Sequence, residues 1–376
     1  MKDRLEEAAD RWGTPLYVTD VDIALRNAQQ WRDAYPGALI AYAVKANPDP
    51  ALMRRLAGEG FGFEVVGPVE LALALRAGCP PEKVVVNGVG QTDADLGDAL
   101  ASGALVNAES LGALDALLAA TPGRIGLRVN PALDADTHPH LATGAAASKF
   151  GIALHDLPEA VERISMAGAS LTSIGAHIGS GITDPEPFGR LAKLLVRLAD
   201  ETGAAQIDLG GGFAGAPEAH AAAVRPHLAK SSGLTLEPGR SIVADAGWLL
   251  TRVVRVQERG HLIVDAGMSE LIRPMLYGAR HPVSLLRPGA NVEHRTWSLS
   301  GPICEAGDIL AHDIDLGDHV GEGALLAISD VGAYGLAMSS TYNGRLRPAQ
   351  IVIDRGELRL SRRRETLDNL VSRDVE

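Results

Sequence analysis

The chain has 376 residues, of which 46% are hydrophobic and 22% charged, so it can bury a large core and is not a disordered protein. At roughly 150 residues per domain, this length predicts two domains, or a barrel with an additional module. The 35 basic and 47 acidic residues give a net charge of −12, which argues against general binding to nucleic acid or to an anionic membrane. The first residues are charged and no apolar run approaches about 18 residues, so we expect a cytoplasmic protein without a signal peptide or a membrane span.

Strand-like apolar runs alternate with helical patterns over the first 240 residues. Eight such runs occur, at 39–45, 62–66, 84–88, 104–108, 124–130, 173–179, 205–212 and 234–240. Repeated strand–helix units imply a parallel sheet, and eight of them fit a closed (β/α)8 barrel of the TIM type. An open, doubly wound sheet is the alternative. We place the barrel at residues 25–240.

The pattern changes after residue 240, where strand-like runs follow one another with turn residues between them and little helical periodicity. We predict a β domain of sandwich or barrel type at 241–376, with a strand contributed by the N-terminal segment 1–24. Cys79 and Cys304 lie far apart in the sequence, so we expect neither a disulfide framework nor a zinc cluster.

Reactive groups of a (β/α)8 barrel lie at the C-terminal ends of its strands. Among the six lysines, only Lys45 closes an apolar strand, where partial desolvation would lower the pKa of its amine and make it a nucleophile. A lysine that extends from the barrel rim into solvent is the alternative. His177 ends the sixth strand and could stack on a flat cofactor or act as an acid or base, although the position alone favours a structural histidine.

The last two strands end in residues suited to an anion and to a cation. Gly210, Gly211 and Gly212 would let backbone N–H groups approach a phosphate, or form only a flexible turn. Glu237 ends the eighth strand, where it could hold a protonated ring nitrogen or pair with Arg240. An amine, a flat histidine, a glycine cradle and an acid at one barrel face together match the needs of pyridoxal phosphate.

Two other motifs predict no site. Gly88 and Gly90 follow a strand, but the next glycine of a dinucleotide fingerprint is replaced by Asp93. His138 and His140 have no carboxylate or cysteine at a convincing metal-ligand spacing, so we interpret them as part of a polar loop and expect no metal.

Longer stretches of the chain resemble a known family. They lie at 41–47, 143–152, 175–182, 207–213, 236–247, 264–283, 301–310, 330–353 and 362–366. The chain is similar to the barrel-type (fold type III) pyridoxal-phosphate-dependent decarboxylases, and among them to the diaminopimelate decarboxylases. LIRPMLYGA and GPICEAGD are the most specific matches. The resemblance implies decarboxylation of meso-2,6-diaminopimelate to L-lysine and CO2, by a homodimer.

The resemblance also implies a role for individual residues. Lys45 resembles the Schiff-base lysine, His177 the residue stacked on the pyridoxal ring, and Glu237 the partner of the pyridine nitrogen. The phosphate-binding set that the resemblance implies consists of Gly210, Gly211, Gly212, Gly239, Arg240 and Tyr334. The set implied to bind the distal end of the substrate consists of Arg240, Arg273, Tyr277, Glu305 and Tyr334. Cys304 and Glu305 resemble a pair donated across a dimer interface, where the cysteine serves in reprotonation.

Several positions depart from the family pattern. Glu64 and Gly67 stand where an Asp and a serine-containing turn are usual, Gly181 where a Gln is common, and the third strand ends without its usual lysine. These changes keep open a sibling decarboxylase for another dicarboxylic or carrier-bound amino acid in a secondary-metabolite or siderophore pathway. An amino-acid racemase and a non-enzymatic barrel that carries the cofactor are further alternatives.

Overall fold

A computed structural model describes residues 1–120, 123–133, 143–145, 147–228, 233–287 and 293–375. The chain divides into two compact units, residues 25–242 and residues 1–24 with 243–376. Helix α1 (Lys2–Trp12) and strand β1 (Leu16–Asp20) open the chain. The buried residues of α1 are Leu5, Ala8 and Ala9, which recur at the three- and four-residue spacing of one helical face.

The unit at 25–242 is a closed parallel barrel. Its strands are β2 (Leu39–Ala43), β3 (Gly62–Val65), β4 (Val84–Val86), β5 (Leu105–Ala108), β6 (Arg124–Asn130), β8 (Leu171–Gly175), β9 (Gln206–Asp208) and β10 (Gly233–Leu236), with the short β7 (Ile152–Ala153) paired to β6. The order β5-β4-β3-β2-β10-β9-β8-β6 closes through the pairing of β5 with β6. The predicted (β/α)8 barrel is therefore confirmed, and the open doubly wound sheet is wrong.

Helices alternate with the strands of the barrel. They are α2 (Val21–Ala34), α3 (Pro50–Gly58), α4 (Pro68–Arg76), α5 (Asp93–Ala101), α6 (Leu111–Ala119), α7 (Leu157–Met166), α8 (Glu186–Thr202), α9 (Pro217–Val224) and α10 (Arg240–Val243). The longest, α8, buries Phe188, Leu191 and Leu195 at helical spacing and ends at Gly203 in the left-handed conformation.

Most barrel strands end earlier than the apolar runs that predict them. The run at 39–45 leaves the sheet after Ala43, and the run at 173–179 corresponds to a strand that ends at Gly175. The apolar composition continues into buried loops at the barrel mouth, so run length overestimates strand length. Lys45 and His177 consequently lie just beyond the strands, at the C-terminal face.

The second unit is built of antiparallel and parallel strand pairs. Its later elements are β11 (Gly247–Gln257), β12 (His261–Val264), α11 (Arg273–Tyr277), β13 (Val283–Leu285), β14 (Thr296–Ser300), β15 (Ile309–Asp315), β16 (Leu325–Ser329), β17 (Ala349–Asp354), β18 (Glu357–Arg362) and α12 (Leu367–Val371). The sheet order is β15-β14-β12-β11-β1-β17-β18, and β16 pairs with both β11 and β13. This sheet confirms the predicted β domain.

Strand β11 organises this unit. Its first half pairs with β1 and β16, and its second half pairs with β12 after an irregularity between Val253 and Arg255. Two buried apolar clusters form the core, one around Tyr17, Trp297 and Leu299 and the other around Leu16 and Ile351. Strands β13 and β15 were not predicted from the sequence, because β13 has only three residues and the apolar start of β15 is only three residues long before His312 and Asp313.

Candidate active site

The C-terminal ends of the barrel strands surround a cavity of about 420 Å³, a volume typical of small-molecule sites. Polar side chains from several strands line it, among them Lys45, Glu64, Asn87, Arg128, His177 and Glu237. Three of these six, Lys45, His177 and Glu237, are residues that the sequence predicts for the site.

Lys45 lies in the 3-10 turn Val44–Ala46, directly after β2. Its Nζ is 2.7 Å from Glu64 Oε2, because the parallel register of β2 and β3 places Ala43 opposite Glu64. The side chain of Glu64 is 1% exposed and that of Lys45 36%, so a fixed acid holds an amine that still reaches the cavity. The charge pair keeps this amine at the site rather than in solvent.

Glu237 follows β10 and is buried beside Asp208, the last residue of β9. Burial, together with the negative charges of Asp208 and Glu64, raises the pKa of Glu237 well above its usual value, while Lys45 acts in the opposite direction. Burial is also the main cause that raises the pKa of Asp208, to about 6. The base of the cavity therefore holds more buried acid than its own cations neutralise, and a cationic group placed there would stabilise the carboxylates.

Asn87 connects Glu237 with Glu64. Its Nδ2 donates to Glu237 Oε1 at 2.7 Å and to Glu64 Oε1 at 3.2 Å, and its Oδ1 accepts a hydrogen bond of 2.9 Å from Asn107 Nδ2. Because Asn87 follows β4 directly, its position at a strand end was the signal by which the sequence could have identified it.

His177 is held as a neutral imidazole. Burial and the charges of Arg128 and Lys45 move its pKa well below the usual value. Gly211 donates its N–H to His177 Nδ1 at 3.1 Å, so Nδ1 is the acceptor and the proton of the neutral ring lies on Nε2. Thr143 Oγ1 donates to the carbonyl oxygen of His177 at 2.8 Å. The ring is thus fixed at the cavity without adding positive charge.

The three glycines after β9 have different functions. Gly210 donates its N–H to Asp208 Oδ1 at 2.8 Å, and Gly211 donates to His177, so these two groups position site residues. Gly212 adopts φ +104°, and its carbonyl accepts the N–H groups of Gly181 and Ile182. The prediction that all three N–H groups face an anion is therefore too simple for Gly210 and Gly211.

Steric crowding explains why glycine is needed in this loop. A Cβ at Gly211 would lie 2.1 Å from the carbonyl oxygen of Glu237, and a Cβ at Gly212 would overlap the carbonyl oxygen of Gly179. Gly239 is similarly tight, since its Cβ would lie 2.9 Å from the Cβ of Ala43. The next residue, Arg240, begins α10, and its Nη2 donates to Ser180 Oγ at 3.1 Å.

The remaining predicted residues belong to the β unit. Arg273 and Tyr277 are the first and last residues of α11, four residues apart and hence on one face. Arg273 Nη1 is 3.4 Å from His281 Nε2. Tyr334 has φ +59°, a left-handed conformation that is uncommon for a side chain of this size.

Cys304 and Glu305 lie in an exposed loop between β14 and β15. The buried Asp308 holds this loop by accepting the N–H groups of Ile303 at 2.7 Å and Met268 at 2.6 Å. Glu305 Oε1 in turn accepts a hydrogen bond of 2.6 Å from the hydroxyl of Tyr342.

Comparisons with known proteins agree with this geometry. The sequence model of the family described as "Pyridoxal-dependent decarboxylase, pyridoxal binding domain" matches residues 22–244. The chain belongs to this family. The diaminopimelate decarboxylase of Deinococcus radiodurans is 39% identical over 381 residues, which cover 99% of this chain and 98% of the relative. That of Pseudomonas aeruginosa is 41% identical over 392 residues, covering 97% and 94%.

A solved structure extends the comparison to the fold. The diaminopimelate decarboxylase of Helicobacter pylori, complexed with L-lysine, superposes with a TM-score of 0.93 at 30% identity and covers 98% of both chains. The predicted resemblance to the fold type III decarboxylases is therefore confirmed.

Pyridoxal phosphate is the cofactor of this family, and the barrel residues fit it. The excess buried acid around Glu237 suits a protonated ring nitrogen, and the glycine loop is too tight for side chains. Asp208 Oδ2 is buried beside Glu237 at the base of the cavity and belongs to the same group of acids. Lys45 places an amine in the same cavity, and the cofactor's aldehyde would require such a group.

A second ion pair borders the cavity and was not predicted. Arg128 Nη1 is 2.9 Å from Glu109 Oε1, with side-chain exposures of 11% and 3%. Gly88 donates its N–H to the same oxygen at 2.7 Å, and the Arg128 guanidinium lies 4.9 Å from the ring centre of Phe150. Glu109 directly follows β5, Arg128 lies near the end of β6 and Asp208 ends β9, but the sequence does not show which charges pair.

Other expectations concern metals, cysteines and membranes. His138 and His140 lie outside the described residues. Within the described ranges, no group of three or more His, Cys, Asp or Glu side chains is arranged to hold a metal ion. Cys79 is buried and Cys304 exposed, and both are free thiols. Of the helices in the described part of the chain, none is both long enough and apolar enough to cross a membrane.

Proposed function

We propose that this protein is a pyridoxal-phosphate-dependent carboxy-lyase that converts meso-2,6-diaminopimelate to L-lysine and CO2 in lysine biosynthesis. The observation that carries the proposal is the full-length match to diaminopimelate decarboxylases, at 39% identity over 99% of the chain for the Deinococcus enzyme. The site agrees with this chemistry, because an amine and a deeply buried acid face one small-molecule cavity.

When bound, pyridoxal phosphate supplies an electron sink for the pair left behind as the bond from Cα to the carboxylate breaks. Lys45 would hold the cofactor at its aldehyde carbon through Nζ. Glu237 holds the ring nitrogen in its protonated form, since a buried carboxylate is stabilised by an adjacent positive charge. His177, neutral and fixed by Gly211, offers a flat surface to the ring. The phosphate-binding role falls to Gly212, Gly239, Arg240 and Tyr334.

The substrate carries a carboxylate and an ammonium group at its distal end. An Arg fork and an acid are the complementary groups, and Arg273 and Glu305 supply the two charges. Tyr277 lies on the same helical face as Arg273, and Arg240 and Tyr334 complete the proposed substrate set. Cys304 and Lys45 are the proposed donors of the proton that returns to Cα.

We further propose a homodimer in which Cys304 and Glu305 of one chain complete the site of the other, and a cytoplasmic location. The exposed position of Cys304 in the loop held by Asp308 supports the shared site, because an exposed thiol can reach a second chain. The two free cysteines agree with a reducing compartment.

The decisive experiment measures CO2 release from meso-, LL- and DD-diaminopimelate by the purified protein with added pyridoxal phosphate. L-ornithine, L-lysine and L-glutamate serve as controls. Strong turnover of the meso isomer alone, with L-lysine as product, is the expected result. Cofactor binding without turnover of any diaminopimelate isomer would contradict the proposed substrate and point to the sibling decarboxylases.

The shared site is tested by mixing two inactive variants. Lys45→Ala and Cys304→Ala homodimers are each expected to lose most activity. If sites are shared, a heterodimer contains one site with both native residues and regains part of the activity. Verified heterodimers that remain inactive would contradict the shared site.

A further inference from the structure

At the base of the cavity, one nearly buried residue contacts two acids of the site. Asn87 is buried at the end of β4. Its amide nitrogen has two hydrogens, and the structure uses them for Glu237 Oε1 at 2.7 Å and Glu64 Oε1 at 3.2 Å. No donor capacity of this amide is therefore left for another group.

The orientation of this amide is determined by its neighbours. Its oxygen accepts from Asn107 Nδ2 at 2.9 Å, so a rotated amide would place an acceptor against two carboxylates and a donor against a donor. The side chain of Asn107 lies against the opposite residue Gly126, where a Cβ would overlap Asn107 Oδ1, so glycine is needed there to make room for it. The contacts thus run from Gly126 through both asparagines to the acids.

We propose, on the basis of the proposed function, that Asn87 is a positioning residue whose amide holds Glu237 towards the cofactor nitrogen and links it to the Glu64–Lys45 pair. Without this amide, two buried carboxylates would face one another across the base of the cavity with no donor between them. Glu237 would then take up a proton or turn away, and in either case would hold the ring nitrogen less well.

Any effect of pH on Asn87 and Glu237 also depends on the other charged groups around them. They are Lys45 after β2, Glu64 in β3, Arg128 in β6, His177 after β8 and Asp208 in β9. These groups remain in every Asn87 variant, so a difference between a variant and the wild type reports the amide itself.

The test compares Asn87→Leu, which keeps the approximate volume, with Asn87→Asp, which keeps the shape but adds a carboxylate. We expect kcat to fall by about 10- to 100-fold in Asn87→Leu and further in Asn87→Asp, with KM changed far less. The visible absorbance of the bound cofactor should change with pH at a different midpoint in both variants. Gln30→Glu, which adds a carboxylate at an exposed position of α2, is the control and should match the wild type.

Unchanged kcat and an unchanged absorbance midpoint in Asn87→Leu would overturn the inference. A protein that merely needs a filled space at this position would lose stability equally at every pH. By contrast, the inference predicts that cofactor-free Asn87→Leu is destabilised increasingly as pH rises, because the amide favours the ionised form of Glu237. A deficit that is constant with pH would also overturn it.

This last measurement separates the inference from the proposed function. A wild-type protein that binds no pyridoxal phosphate would refute the proposed function, while unfolding of the cofactor-free variants would still test Asn87. A wild-type protein that binds the cofactor but acts on another amino acid would refute the substrate alone, and the absorbance titration would still test the amide.

Discussion

Replacement of Gly211 by alanine should weaken cofactor binding through a clash with the backbone of Glu237. The new Cβ would lie 2.1 Å from the Glu237 carbonyl oxygen, and real Cβ contacts essentially never fall below 3.0 Å, so the loop must shift by at least 3.0 − 2.1 = 0.9 Å. The contact is with backbone, so no flexible side chain can relieve it. Gly211 also holds His177, and Glu237 donates its N–H to Gly210, so the shift disturbs the ring contact and the acid together.

Overpacking of this kind costs about 1–3 kcal/mol. If only the cofactor-bound form carries this strain, the cost corresponds to about 5- to 150-fold weaker cofactor binding. The assay is an absorbance titration of the cofactor-free variant with pyridoxal phosphate. Gly97→Ala is the matched control, since a Cβ at this position in α5 meets no atom within 4 Å. It should bind the cofactor as the wild type does and melt at a slightly higher temperature. Binding by Gly211→Ala within about twofold of the wild type would refute the steric argument.

Three further predictions concern the amine, an acid and the exposed loop. Lys45→Ala should remove the visible absorbance of the lysine-bound cofactor, and a band that persists in the purified variant would contradict the role of Lys45. The pKa of Asp208 is raised to about 6 in the folded, cofactor-free protein, whereas in the unfolded chain Asp208 releases its proton near pH ~4. The free energy of unfolding should therefore fall as pH rises from about 4 to about 6. Denaturant unfolding of Asp208→Asn should not show this fall. If the free energy of unfolding depends on pH equally in both proteins, the raised pKa of Asp208 is contradicted. Tyr342→Phe removes the hydroxyl donor to Glu305 and should raise KM for meso-diaminopimelate more than it lowers kcat. An unchanged KM in steady-state kinetics would show that this hydrogen bond does not contribute to substrate binding.

The fold followed from local patterns that any βα protein displays. Eight apolar runs separated by helical segments predict the barrel, because each run must pair with parallel neighbours to satisfy its backbone. Local pattern was a weaker guide in the β unit, where β13 becomes a strand only by pairing with β16. Strand ends were also displaced, since apolar residues continue into the buried loops of the barrel mouth.

By itself, the sequence determined the barrel, the β domain and the barrel face at which Lys45, His177 and Glu237 lie, because residue type and periodicity are local properties of the chain. The family resemblance added the cofactor and reaction that the comparisons support. Only the tertiary structure decided which groups contact one another. Asn87 and Glu237 are 150 positions apart, and barrel closure brings them within 2.7 Å. The same closure commits the N–H of Gly211 to His177 and crowds three acids around one amine. Such contacts depend on register and burial across several strands, and no single stretch of sequence encodes them.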